Sequence, residues 1–331
     1  MLRTAVIGVG HLGRQHARIH AALAAEGRTQ FVSVCDLIDG TARSIAAERQ
    51  TEWTTDWRTL VGKVDAVSLA VPTQSHCEIA CGLLEQGIHV LVEKPISRTL
   101  EEADRMVAAA EKSGALLQVG HLERFNPALI ALKPHVRNPV YFEIHRVGEF
   151  TARSLDIDVV LDLMIHDLDI VQWLVGNDVE VTSLHAVGIP ILTDRVDAAN
   201  ARLEFASGAV ANITASRVGT ERIRKMRFFQ PRDYVAVDYA AKRASISSLA
   251  PSTADGGWPG VNVRNLDVMD VEPLRAETEA FIDAAQGRQA SPVSAAEGRN
   301  ALGLALRVQQ RIHEHASTRV GVLKAQPGGI G

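Results

Sequence analysis

Cysteine is scarce in this chain: only Cys35, Cys77 and Cys81 occur among 331 residues. An odd number set in apolar surroundings excludes a disulfide framework. Cys77 and Cys81 stand one helical turn apart beside His76, yet buried small side chains explain that spacing better than a metal does. Basic charge is short as well, with Lys+Arg 35 against Asp+Glu 39, a net charge of -4 and a pI near 6.3. Nucleic acid and anionic membrane surfaces both require a basic field, so neither is an expected partner. No apolar run approaches the roughly 20 residues of a membrane span. Internal repeats and low-complexity segments are missing. The opening MLRTAVIG enters a strand pattern at once, which leaves no room for a signal peptide and points to a cytoplasmic protein.

What is present is a large apolar share, 46%, on a chain long enough for about two domains. Residues 3 to 119 alternate short β-branched runs (TAVIG, FVSVC, DAVSLAV, HVLVE, ALLQVG) with helical patterns beginning near His11, Asp39, Thr55, Ser75 and Thr99. Unalternating apolar runs are strands buried on both faces, and strands separated by helices pair parallel through right-handed crossovers. A doubly wound α/β domain over 1–120 follows, with Thr99 and Glu102 as a capping box. Beyond Gly120 the segments near 139–149, 179–190, 197–217, 222–230 and 233–249 are longer, alternate, and are joined by turns such as Ala206-Ser207-Gly208. They predict an α+β domain over 121–331 with an open, mostly antiparallel sheet. The stretch PSTADGGWP reads as an irregular loop, a helix capped at Ser294 and Glu297 runs to about Ala316, and PGGIG reads as a frayed tail.

The first strand ends in Gly8-Val9-Gly10-His11-Leu12-Gly13, and a helix follows. Gly8 permits a tight turn, Gly10 lets backbone approach a pyrophosphate, and Gly13 lets helix pack on strand. Asp36 closes the second strand about 20 residues further on, which completes a dinucleotide fingerprint. A carboxylate there accepts from a ribose 2'-hydroxyl and repels a 2'-phosphate. NAD is therefore expected rather than NADP, with Arg43 as the nearest arginine that argues the other way. Pro72, Thr73 and His76 after the third strand, and Glu93-Lys94-Pro95 after the fourth, leave carboxyl ends of strands, where open α/β sheets bind ligands.

The apolar run DVVLDLMIHDLDIVQW carries Asp162, His166 and Asp169 at steps of four and three, one stripe of an α-helix. Leu161, Leu163, Met164, Leu168 and Ile170 would bury the rest of its circumference. Ionisable groups on a buried helix are costly unless paired, so the stripe requires a reason. Taken alone, a satisfied core histidine is a better reading than catalysis.

VIGVGHLGRQHARIH, AVPTQSHCEIA, HVLVEKPIS, VGHLERFNP and LDLMIHDLDIVQW together resemble the glucose-fructose oxidoreductase, inositol dehydrogenase and MocA family, written Gfo/Idh/MocA, over essentially the whole chain. The resemblance implies a Rossmann domain joined to an open-sheet domain with the active site between them. It makes Lys94 and His166 catalytic and Asp162 the partner of His166. Gly8, Gly10, His11, Leu12, Gly13, Asp36, Pro72, Thr73, His76, Glu93 and Lys94 become cofactor residues, and the chemistry requires no metal. Where many members carry a glycine pair, this chain has Asp158-Val159-Val160. ERFNP and VVLDLMIHDLD are most similar to the branch that oxidises C3 of UDP-N-acetylglucosamine ahead of a transaminase serving lipid A. That implies a sugar-nucleotide substrate; inositol-like polyols and a non-catalytic regulator are the alternatives. Family members commonly assemble as dimers or tetramers. Arg124, Asn126 and Asp169 are substrate-binding candidates, although Asn126 could equally cap a helix and Arg124 pair on the surface. The basic stretch from Arg217 to Arg232 fits a solvated or inter-subunit sheet face better than a diphosphate site.

Overall fold

The computed structural model describes residues 1–150, 157–250 and 260–324, with side chains to 317. The expected loop at 251–259 and the PGGIG tail lie outside the described residues. In chain order, β1 (Leu2–Ile7), α1 (His11–Ala25), β2 (Thr29–Cys35), α2 (Asp39–Arg49), β3 (Glu52–Thr54), β4 (Ala66–Leu69), α3 (His76–Leu84), β5 (His89–Glu93), α4 (Leu100–Ser113) and β6 (Leu117–Gly120) come first. Their strands form one parallel sheet in the order β3-β2-β1-β4-β5-β6. The helical start expected near Thr55 is a single 3-10 turn, Trp57–Leu60, because Asp56 caps it and Gly62 ends it at φ 77°. β4 is buried at every position, as its unalternating sequence requires. Thr99 caps α4 through the Glu102 N–H at 3.2 Å, while the Glu102 carboxylate turns to the Arg98 N–H instead of completing the box.

The remaining elements are α5 (Pro127–Leu132), β7 (Tyr141–Val147), α6 (Ile165–Val175), β8 (Val181–Ile189), β9 (Ala198–Phe205), β10 (Val210–Ser216), β11 (Ile223–Gln230), β12 (Asp233–Asp238), β13 (Arg243–Leu249), β14 (Val261–Asn265), α7 (Pro273–Ala285) and α8 (Ala295–Lys324). β7 to β14 make one sheet, ordered β14-β13-β12-β11-β7-β10-β9-β8, antiparallel except where β7 meets β10. Alternation decides its faces: Met226 and Phe228 of β11 are buried, whereas Lys225, Arg227 and Phe229 are exposed. Phe142 and Phe228 meet at 5.1 Å between ring centroids inside.

The chain packs as two units, Met1–Phe125 with Val271–Leu302, and Asn126–Asp270 with Gly303–Gly331. Here the structure departs from the expected division, which gave all of 121–331 to the second unit. Burial is the reason: Leu274, Phe281 and Ile282 of α7 join Ile19, Leu23, Ala66 and Leu91 in one hydrophobic cluster, so α7 covers the parallel sheet beside α1.

Candidate active site

The loop between β1 and α1 is built for a ligand with close backbone approach. Gly8 adopts φ +81°, and a Cβ on it would lie 2.7 Å from the Ala70 carbonyl oxygen. A Cβ on Gly13 would fall 1.7 Å from the Gly8 oxygen, so only glycine lets α1 sit this close. Gly10 caps α1 without any side-chain hydrogen bond, and a Cβ there would meet open space. The N-terminus of α1 thus keeps its N–H groups and its partial positive charge for an anion. Asp36 accepts from the Val9 and Ile38 N–H groups, both at 2.9 Å, which fixes its carboxylate over the loop and leaves half of its lone pairs available.

A cavity of about 670 Å³ opens here, lined by Gly8, Gly10, Asp36, Leu37, Pro72 and Ser75 among others. Thr55, Asp56, Trp57 and Arg58 also line it and were not foreseen. The signal for them was weak, since only the capping Asp56 marks that turn. Arg43 is engaged elsewhere, 2.8 Å from Asp39 and 4.5 Å from the Trp53 ring centroid. Arg58 pairs with Glu78 at 3.0 Å and lies over Trp57. Of the other expected cofactor residues, His11 and Leu12 are exposed at the start of α1, and Thr73 sits in a 3-10 turn. His76 is buried, its ring nitrogens 2.9 and 3.0 Å from the carbonyls of Val71 and Pro95, so it ties the loops after β4 and β5 together. Cys77 and Cys81 are buried with their sulfurs 4.0 Å apart.

Strand β5 delivers Glu93 and the half-buried Lys94. The Glu93 carboxylate lies 2.8 Å from His16 Nε2 and accepts from the Lys94 N–H at 3.3 Å. It fits because its neighbour on β6 is Gly120, where a Cβ would stand 3.1 Å from Glu93 Oε2.

The stretch expected as one α-helix begins as a π turn over Val160–Met164, in which the Ile165 N–H reaches the Val160 carbonyl, and becomes α-helical only at Ile165. Such π segments occur mostly as single turns and often at functional sites. Asp158 accepts from the Val160 and Leu161 N–H groups at 3.0 and 3.1 Å and from Gln309 at 2.7 Å. It is a cap. Asp162 and His166 are half-buried and Asp169 is buried, while Leu161 and Leu163 are less covered than expected. The residue that sequence reasoning missed is Asp167, fully buried in a two-pronged pair with Arg146 of β7 at 2.7 and 2.8 Å. Its partner lies 21 residues upstream, and no local pattern announces it.

Asn126 accepts from the Ala128 N–H and donates to the Tyr239 carbonyl, so it caps α5. Arg124 is not a surface residue as the alternative reading had it: it is 4% exposed and pairs with Glu297 at 2.8 Å. Arg217 is likewise buried against Asp197, while Arg222, Lys225 and Arg227 are exposed.

Residues 2–121 match an oxidoreductase family with an NAD-binding Rossmann fold, and residues 132–229 match the GFO/IDH/MocA C-terminal domain. The chain belongs to the Gfo/Idh/MocA oxidoreductases. It is 38% identical over 309 residues, 93% of this chain and 96% of the relative, to a UDP-N-acetylglucosamine 3-dehydrogenase of Acidithiobacillus ferrooxidans. A solved structure of that same Acidithiobacillus ferrooxidans activity superposes with a TM-score of 0.86 at 36% identity, covering 94% of this chain and 97% of the other. A scyllo-inositol 2-dehydrogenase (NAD(+)) of Bacillus subtilis is 31% identical over 234 residues, 65% of this chain and 67% of its own. As a Gfo/Idh/MocA oxidoreductase the chain binds NAD, and the uncapped α1, the room beside Gly10 and the Asp36 carboxylate fit that cofactor.

Proposed function

We propose that this enzyme oxidises C3 of UDP-N-acetylglucosamine, or a close relative, to a 3-keto sugar nucleotide. The observation that carries the reading is the 38% identity to a UDP-N-acetylglucosamine 3-dehydrogenase, sustained over 93% of this chain and 96% of the relative. Gly8, Gly10, the α1 N-terminus and Asp36 would hold NAD, which would supply the hydride acceptor, and the Asp36 carboxylate together with the engagement of Arg43 and Arg58 favours NAD over NADP. His166 takes the proton of the sugar hydroxyl, the general-base role that histidine most often fills. Asp162 orients the imidazole and stabilises its charged form, and Lys94 stabilises the alkoxide as it develops. Asp169, Arg124 and Asn126 are assigned to the substrate side, the last two through their caps and pairs rather than as free donors.

The 3-keto product is what a transaminase requires to install a 3-amino group, and a role in lipid A synthesis in the cytoplasm is consistent with that chemistry. No helix of the described residues is long and apolar enough to cross a membrane. Assembly as a dimer or tetramer would cover the open sheet face, where Phe229, Val261 and Val263 are exposed.

The test is a panel of UDP-sugars and polyols with NAD, read by the absorbance of the reduced nicotinamide. Turnover of UDP-N-acetylglucosamine with transfer of deuterium from C3 is expected. Label arriving from C4 or C6, or turnover of inositol alone, would overturn the substrate.

A further inference from the structure

Behind the carboxyl end of β5 lies a buried group of ionisable side chains that the proposed mechanism does not use. His16 of α1, Glu93 of β5 and Glu277 of α7 each place one nitrogen or oxygen within 4.8 Å of the others. His16 is 1% exposed and Glu277 fully buried. Neither carboxylate oxygen of Glu277 has a hydrogen-bond partner, and neither does His16 Nδ1. A buried carboxylate left without donors costs several kcal/mol, on the order of the lost hydration, and persists only where something else requires it.

We propose that Glu277 and His16 are positioning residues for Lys94: they fix the Glu93 carboxylate from two sides, and that carboxylate holds the Lys94 main chain. The geometry runs in one line. His16 Nε2 meets one Glu93 oxygen at 2.8 Å, the Lys94 N–H donates to the other at 3.3 Å, and Gly120 leaves the space in which the carboxylate sits. Glu277 approaches from α7, with one oxygen within 4.8 Å of the Glu93 and His16 atoms. Burial, together with the Glu93 carboxylate beside it, pushes the Glu277 carboxyl well above the usual range, which favours its protonated form. Two carboxylates within 4.8 Å of each other disfavour double ionisation, and a proton on Glu277 would let it donate toward Glu93. Arg18 pairs with Glu272 and Arg124 with Glu297. His20, the other histidine on this face of α1, is occupied by Thr4 and Ser68, and burial holds it down to about 3.

The inference rests on Lys94 taking part in turnover, and its test separates the two. The NAD-loaded full chain at neutral pH should show an infrared band of a protonated carboxyl that disappears in Glu277→Gln. Glu277→Ala should lower kcat with little change in KM for NAD, because a displacement of about 1 Å at a catalytic group costs up to about 10²-fold. Glu277→Gln, which keeps the shape and a donor, should recover most of that loss. Should the alanine variant fail to fold, the infrared band and the glutamine variant decide alone. The proposal is overturned if the band is missing, if Gln and Ala are equally damaging, if Ala folds with unchanged kcat, or if stoichiometric divalent metal is found that Glu277→Gln removes. Failure of the catalytic reading shows separately, as turnover retained in Lys94→Ala.

Discussion

The Asp36 carboxylate braces the glycine loop through the Val9 N–H, accepts from the Ile38 N–H beyond its own strand and lines the cavity, and in the proposed reading it sets the cofactor choice. Asp36→Ala should weaken NAD by roughly the 1.5–3 kcal/mol of a hydrogen bond to a charged group, about 10- to 100-fold, and weaken NADP less. Calorimetric titration with both cofactors measures this, and an unchanged preference would show that the assigned cause is wrong. His166→Ala and Lys94→Ala should lose about 10² to 10⁴ in kcat while NAD binding stays, since loss of a general base or of alkoxide stabilisation acts on the reaction and not on the cofactor. At this scale the sequence was most legible where spacing is dictated by chemistry. Gly8, Gly10, Gly13 and Asp36 were readable because a dinucleotide leaves few residue types possible at those positions. The tasks of His76, which ties two loops together, and of Glu93, which meets His16 of α1, were hidden because their partners lie in distant elements.

At the scale of elements, the segment holding Asp162 and His166 is fixed at both ends by polar contacts. Asp158 caps its start, and Asp167 anchors it to β7 through Arg146. Removing one partner of such a pair strands the other charge in the core. Asp167→Ala should therefore cost about 3–5 kcal/mol of stability. Replacing both residues, as Arg146→Met with Asp167→Leu, should restore much of it. Denaturant melts of the single and double variants provide the comparison, and a double variant no better than the single would show that Arg146 needs more than a neutral partner. The helix itself was readable from its apolar spacing, but its π turn was not. Whether a turn closes on the fourth or fifth residue depends on what it packs against.

For the molecule as a whole, the decisive feature is the return of Val271–Leu302 to the first unit. Leu274, Phe281 and Ile282 fill the same cluster as Ile19, Leu23, Ala66 and Leu91. A fragment ending at residue 125 would leave that face of the parallel sheet uncovered, at about 1.5–3 kcal/mol for each large apolar side chain removed. Such a fragment should not bind NAD or show a cooperative melt, whereas one that appends 271–302 through a linker should recover both. Circular dichroism melts and NAD titration would reveal the contrary case, a folded and NAD-binding 1–125.

The division between sequence and tertiary structure follows from the range of the interactions. Strand periodicity, the glycine loop, Asp36 and the polar stripe at Asp162 and His166 are local patterns, so the chain announces a Rossmann sheet followed by an antiparallel one from its residues alone. The cover of α7 over the first sheet, the Arg146–Asp167 pair and the gathering of His16, Glu93 and Glu277 are products of packing between distant segments. A lone glutamate in a helix reads as a solvated side chain. Only the folded chain buries Glu277 completely and sets it against Glu93, because burial is a property of what surrounds a residue and not of its neighbours in sequence.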